Sequence, residues 1–373
     1  MLKVATIVGT RPEIIKMCRV IAEFDKNTRH VLIHTGQNYD HSLSQIFFDD
    51  LEIRKPDHFL NAVGTNAAQT IARVIAAVDD VLAQEAPDAV LLYGDTNSCL
   101  SVIPAKRRKI PVFHMEAGNR CFDENVPEEL NRKIVDHLSD INIVLTEHAR
   151  RHLLAEGLRA ERIIKSGSHM KEVLEHFRPK IEASGILGKL GLSPKQYFLV
   201  SAHREENVDS EQNLTDLLES LRRLSSEYKF PIIVTTHPRT RKRLELHRQR
   251  SMDESVKFLT PFGFTDYAML QLNALCVLSD SGTITEESSL LGFPAITIRN
   301  THERPEGMDH GTLIMSGLKA DRILDAVRVV VNSNEAGVRF PLVPDYNSDY
   351  VSKKILRIVL SYTDYINRVV WNH

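Results

Sequence analysis

Along the chain, short runs of apolar and β-branched residues alternate with longer stretches in which apolar positions recur every three or four residues. The runs at 3–8, 30–35, 88–93, 111–114 and 141–145 have the length and composition of strands. The segment 66–85, with Ala, Ile and Val along one face, has the helical period. The rhythm restarts after Pro194, with strand-like runs at 197–201, 231–236, 256–259, 276–278 and 295–298. Strands separated by helix-length connections form parallel sheets with crossover helices, so the pattern predicts an α/β protein built of two similar units in tandem. Gly167, Gly185, Gly188 and Gly191 interrupt the period between about 165 and 192, where the linker is expected, with room for a helix over 171–177.

Polar clusters follow the strands directly: Gly9-Thr10-Arg11, Thr35-Gly36-Gln37, Gly94-Asp95-Thr96, His114-Met115-Glu116, His203-Arg204-Glu205, Thr236-His237-Pro238 and Ser279-Asp280-Ser281-Gly282. The carboxyl ends of strands in open parallel sheets form the ligand-binding rim, so an active site in a cleft between the two units is expected. At Gly9 a strand turns into a helix opened by Pro12, and Arg11 and Lys16 lie at that anion-attracting end. Solvated cations at an ordinary helix start have the same pattern. The run Ser281-Gly282-Thr283-Ile284-Thr285-Glu286-Glu287 is the better phosphate cradle. Gly282 permits close backbone approach, Ser281 can cap, and Glu287 lies one turn in, where it can accept from ribose hydroxyls; a plain capping box through Glu286 fits the same residues.

Asp95, Glu116 and Glu128 lie on or just after the rim of the first half, and His203 faces them from the second. Gathered carboxylates repel one another, which pushes at least one pKa toward neutrality and suits proton transfer. The ordinary structural roles are an N-cap for Asp95 and a surface charge for Glu128. Of the 16 histidines, His114, His203 and His237 fall on the rim.

Composition narrows the chemistry. A length of 373 residues suits two domains, and no run of about 18 uncharged apolar residues offers a membrane span. Lys and Arg number 47 against 49 Asp and Glu, a net charge of −2, without the basic excess that nucleic acid or an anionic membrane surface rewards. Cys18, Cys99, Cys121 and Cys276 are widely spaced with no C-x-x-C pair, and the first residues lack a signal-peptide pattern, so a reducing cytoplasm is expected. G-x-G-x-x-G, G-x-x-x-x-G-K-[ST] and G-x-S-x-G do not occur, which argues against NAD, a P-loop nucleotide and a serine nucleophile. His114-x-Glu116 lacks the P-C-x-x-C partner of a zinc deaminase.

Seven spaced motifs carry a family resemblance: Gly9-Thr10-Arg11-Pro12-Glu13, Gly94-Asp95-Thr96, His114-Met115-Glu116-Ala117-Gly118, Pro127-Glu128-Glu129 with Asn131-Arg132, His203-Arg204-Glu205-Glu206-Asn207, Asp280-Ser281-Gly282 and Glu303-Arg304-Pro305-Glu306. Together, in order and over most of the chain, they resemble the non-hydrolysing UDP-N-acetylglucosamine 2-epimerase family. The resemblance implies a glycosyltransferase-B type fold with Rossmann-like domains at 1–168 and 169–348, a C-terminal helix over 349–373 returning to the first domain, and UDP bound between the domains. By matching motif, Asp95, Glu116 and Glu128 would handle the C2 proton and a glycal intermediate, and His203 would act at the departing UDP. Arg11 and Lys16 would be active-site cations, and Ser281, Gly282 and Thr283 the phosphate turn. Glu287 would be the ribose contact, Arg304 the arginine of the E-R-P-E segment, and Phe264 part of the uracil loop. The resemblance implies a UDP-sugar substrate and a homodimer, with no organic cofactor, metal, nucleic acid or membrane partner.

The C2 proton of such a sugar has no adjacent carbonyl and is not acidic, so departure of UDP must assist its removal. Within the family, the run 114–123, Val126-Pro127-Glu128-Glu129, Lys133-Ile134-Val135-Asp136-His137, Asp280-Ser281-Gly282-Thr283 and His302-Glu303-Arg304-Pro305 are similar to one branch. That branch makes UDP-N-acetyl-L-fucosamine from UDP-2-acetamido-2,6-dideoxy-L-talose for surface polysaccharides such as capsule and O-antigen. Asn119 replaces the Leu of H-x-E-A-G-L-R, and Thr283 a frequent second glycine. Gln37-Asn38-Tyr39-Asp40 replaces the Q-H-R-E type of sequence that accompanies an allosteric substrate site in bacterial members. UDP-N-acetylglucosamine is the other candidate substrate. A glycosyltransferase, a hydrolysing epimerase and a non-catalytic UDP-sugar sensor are the other classes, and the three-carboxylate set favours epimerisation.

Overall fold

The structure, a computed structural model, describes residues 1–36, 48, 50–202, 204, 207, 210–235 and 255–372. Gln37 to Asp40, His203, Glu205, Glu206 and His237 lie outside the described residues.

The chain divides into two compact units, Met1–Glu175 with Pro344–His373, and His176–Val343. In the first, strands β1 (Lys3–Val8), β2 (Arg29–His34), β3 (His58–Phe59), β4 (Ala89–Tyr93), β5 (Val112–Met115), β6 (Ile141–Val144) and β7 (Ile163–Lys165) form a parallel sheet in the order β3-β2-β1-β4-β5-β6-β7. In the second, β8 (Phe198–Ser201), β9 (Ile232–Thr235), β10 (Val256–Leu259), β11 (Cys276–Ser279), β12 (Ala295–Thr297) and β13 (Ile314–Met315) are parallel in the order β10-β9-β8-β11-β12-β13. Both are doubly wound, and in each the order reverses beside the first strand, between β1 and β4 and between β8 and β11. The α/β reading with two Rossmann-like domains therefore holds.

Strands covered on both faces read as continuous apolar runs, and every residue of β4 is buried. In the second unit, Phe198 and Val200 belong to one hydrophobic cluster and Tyr197 and Leu199 to another, because successive side chains point to opposite faces.

Helix α1 (Arg11–Asn27) has Pro12 in its first turn and buries Ile14, Met17, Ile21 and Phe24. Helix α2 (Ala67–Glu85) is capped by Asn66, whose side chain accepts from the Gln69 N–H at 2.9 Å, and buries Val74 and Val78 with Ala5 and Ile7. Helix α3 (Pro127–Leu138) follows the β5 loop. Helices α4 (Phe264–Asn273) and α5 (Ile284–Leu291) belong to the second unit. The last helix, α6 (Val351–Ile366), packs on α1, and the Glu172 carboxylate accepts from the Ser352 N–H at 2.9 Å and from its hydroxyl. Among the described residues no helix is long and apolar enough to cross a membrane.

Two sequence expectations change. The expected linker contains a helix, Met170–Glu182, longer than 171–177, because Met170, Val173, Leu174, Phe177 and Ile181 are buried at helical spacing and the glycines flank it. His114 lies under the rim of the first sheet, 1% exposed, with Nδ1 2.8 Å from Asp136 and Nε2 2.8 Å from the Gly94 carbonyl oxygen. Its place on a strand buried on both faces puts it in the core.

Candidate active site

Register brings the first set of residues together. Ile7 is level with Leu92, and Tyr93 with Met115, so the turns after β1, β4 and β5 leave the sheet side by side at the reversal point. Glu116 follows β5 in the left-handed region, φ +64°, a conformation that costs a non-glycine residue about 1–3 kcal/mol and is kept where the surroundings enforce it. Its carboxylate receives the Lys16 Nζ at 2.8 Å, the Tyr93 hydroxyl and the Asn119 amide at 3.4 Å. The Lys16 and Glu116 side chains are 8% and 9% exposed, so water screens the pair weakly.

Asp95 follows β4, and Arg132 of α3 holds its Oδ2 at 2.7 Å while also binding Glu129 at 2.8 Å. Thr96, not Asp95, caps the short helix that follows, accepting from Ser98 N–H at 3.3 Å. Glu128 is half-buried in the first turn of α3, and Arg11 is half-buried at the first position of α1.

A carboxyl pushed toward neutrality is Glu13, on the buried side of α1. Burial raises its pKa to about 7, and the charge of Asp95 adds to this, against the donors Thr96 and Gly9. The Gly9 N–H lies 2.6 Å from its Oε2 and the Thr96 hydroxyl 2.5 Å from its Oε1.

The second unit repeats the arrangement. Ser201 is level with Ser279, and the Asp280 N–H donates to the Ser201 carbonyl at 3.0 Å, so the loops after β8 and β11 also emerge together. Ser281, Gly282, Thr285, Arg299, Glu303 and Arg304 line a small cavity. The Ser281 and Thr283 hydroxyls are 3.0 Å apart, and the Thr283 N–H reaches Ser281 Oγ at 3.4 Å. The helix begins after Thr283, whose own side chain makes no capping hydrogen bond, and no capping box through Glu286 closes it. The reason is that Glu286 is fully buried and bound to Arg304. Glu287 accepts from Gln271 at 2.5 Å. Phe264 opens α4 with its ring buried against Phe177, centroids 5.8 Å apart.

The UDP-N-acetylglucosamine 2-epimerase family pattern matches residues 22–360. The chain belongs to this family. An epimerase structure from Rickettsia bellii, a UDP-N-acetylglucosamine 2-epimerase, is 62% identical over 100% of both chains with a TM-score of 0.94. The UDP-N-acetylglucosamine 2-epimerase of Methanocaldococcus jannaschii is 36% identical over 340 residues, 89% of this chain and 93% of that one. A crystal structure from that organism, in complex with UDP-GlcNAc and UDP, matches at 32% identity over 96% of this chain and 100% of the other, with a TM-score of 0.90. The family is not uniform in substrate. A Pseudomonas aeruginosa relative, 33% identical over 88% of this chain and 92% of its own, is a UDP-2,3-diacetamido-2,3-dideoxy-D-glucuronate 2-epimerase.

Several residues beside these clusters were not singled out by sequence. Arg299 is 3% exposed, donates to Glu303 at 2.7 Å, and lines the same cavity as Ser281 and Gly282. A Cβ on Gly282 would lie 2.3 Å from Glu303 Oε1, so a side chain at this turn would require the Glu303 carboxylate to shift. Tyr93, Arg132 and Glu13 act on the first-unit carboxylates. Arg132 and Glu13 stand inside the quoted motifs, and Tyr93 directly precedes Gly94-Asp95-Thr96. That position beside the rim was the available signal. Among the described residues no group of three or more His, Cys, Asp and Glu side chains is arranged to hold a metal ion.

Proposed function

We propose that this epimerase inverts C2 of a UDP-2-acetamido sugar by eliminating and re-adding UDP, and that its preferred pair is UDP-2-acetamido-2,6-dideoxy-L-talose and UDP-N-acetyl-L-fucosamine. The observation that carries the chemistry is Glu116, whose carboxylate accepts from Lys16, Tyr93 and Asn119 and is thereby favoured as an ionised base. The base removes the C2 proton, the electron pair forms the C1–C2 double bond, and the C1–O bond breaks with its electrons leaving on UDP. A proton then returns to the opposite face of C2 as the UDP oxygen adds back to C1, a redox-neutral cycle. Asp95 and Glu128 are the further proton-handling groups, and His203 acts at the departing UDP. Arg11, Lys16, Arg299, Arg304 and the Ser281-Gly282-Thr283 turn stabilise the developing charge, Glu287 takes the ribose, and the Phe264 segment the uracil. The enzyme works in the cytoplasm as a homodimer, which light scattering of the purified chain checks.

The L-sugar is supported by where the unusual residues fall. Asn119 reaches Glu116, and Thr283 lies in the phosphate turn beside Ser281. The names of the Rickettsia and Methanocaldococcus relatives favour a second reading, UDP-N-acetylglucosamine to UDP-N-acetylmannosamine. Incubation with each nucleotide sugar in deuterated water, followed by NMR, separates them through kcat/KM. The expected result is deuterium at C2 of the product and a higher kcat/KM for the L-sugar. A preference for UDP-N-acetylglucosamine would overturn the L-sugar alone, while quantitative retention of the C2 proton would overturn the elimination.

A further inference from the structure

We infer that Tyr93 is a positioning residue that works through Glu116, its hydroxyl fixing the carboxylate and holding it in the base form. This rests on Glu116 being the base. Tyr93 ends β4, is 3% exposed, and is paired in register with Met115, so Glu116 is the next residue along the neighbouring strand. Its hydroxyl donates to Glu116 Oε2, the oxygen that also receives Lys16 Nζ at 2.8 Å.

The ring has little freedom. Lys16 Nζ stands 5.3 Å from its centroid, and the His169 ring meets it edge-on at 5.3 Å. Its placement by β4 packing therefore sets where the carboxylate sits, although the Glu116 backbone is in the left-handed region. Charged and polar groups around the pair among the described residues include Lys16 from α1, Asn119 from the turn after β5, and His169 from the segment before the helix Met170–Glu182. A phenylalanine would fill the same core space, so the hydroxyl is the part of Tyr93 that packing does not require. A donor to a carboxylate favours its ionised form, so removing the hydroxyl raises the pH at which Glu116 takes up a proton.

Tyr93→Phe and Glu116→Gln, compared with the full-length wild type in NMR assays of UDP-sugar epimerisation across pH, test this. Tyr93→Phe is expected to keep KM within about twofold and lower kcat on the order of tenfold or more, the effect of losing a hydrogen bond to a charged group. The acid limb of kcat should move up by about one pH unit, and Tyr93→His, which restores a donor, should recover part of the loss. If Tyr93→Phe does not fold, Tyr93→His and Tyr93→Leu, one with a donor and one without, carry the same comparison. Unchanged kcat and acid limb in the donor-less variant would overturn the role of Tyr93 while leaving Glu116 in place. A fully active Glu116→Gln would instead overturn the reading of Glu116 as the base.

Discussion

Glu13 accepts hydrogen bonds from Gly9 and Thr96, which favour its ionised form, yet desolvation at 2% exposure prevails and its pKa rises to about 7. The linkage has a definite sign. Between the ordinary carboxyl value of 4.5 and about 7 the folded chain holds a proton that the unfolded chain releases. The stability from this group is complete below 4.5 and is lost as pH rises through 7. Above that window, burying the charge costs about 3 kcal/mol. Glu13→Gln keeps an acceptor for Gly9, and the Thr96 hydroxyl can turn to accept from the new amide. Its stability in urea should exceed the wild type's at pH 8 by up to about 3 kcal/mol and match it near pH 4. A difference independent of pH would show that folding leaves the Glu13 carboxyl at its ordinary pKa.

At the scale of elements, α6 completes the first unit by covering α1. Its buried stripe includes Val351, Ile355, Val359 and Ile366, whereas its flanking ion pair, Lys171 with Asp349 at 2.5 Å, has an Asp349 side chain 61% exposed. Burial should therefore dominate. Ile355→Ala is expected to cost about 2–5 kcal/mol in urea unfolding, and Lys171→Ala at most about 1 kcal/mol. Equal costs would mean that the pair, not the apolar stripe, holds the helix.

The central strands were legible because four or more consecutive buried residues make a mostly apolar run, as at Lys3–Val8 and Ala89–Tyr93. The edge strands His58–Phe59, Ile163–Lys165 and Ile314–Met315 were not, since two or three residues carry no period. The same limit applies to the site. Asp95 and Glu116 were legible as residues that follow strands, but their partners are set by strand register and by side chains distant in sequence. Lys16 lies 100 positions from Glu116, and Arg132 lies 37 from Asp95. Desolvation of Glu13 depends on tertiary burial, which the motif around it does not encode.

At the scale of the whole molecule, each unit has its own core and its own reversal point, and the proposed functions divide between them. Ser281, Gly282, Arg299 and Arg304 belong to the second unit, while Asp95, Glu116 and Glu128 belong to the first. UDP lacks the sugar carbons on which the carboxylates act, so UDP alone should engage the phosphate set, to which the first unit contributes Arg11 and Lys16, and affect the Asp95 and Glu116 turns less than the second-unit residues. At about 100 times its Kd, UDP bound only to the folded chain adds about 2.7 kcal/mol of stability. Hydrogen exchange locates that gain. The larger protection on adding UDP is expected in peptides covering 279–306, whereas peptides covering 93–97 and 115–119 should respond fully only when the sugar is attached. Protection of those first-unit turns by UDP alone, equal to that at 279–306, would remove the division of roles.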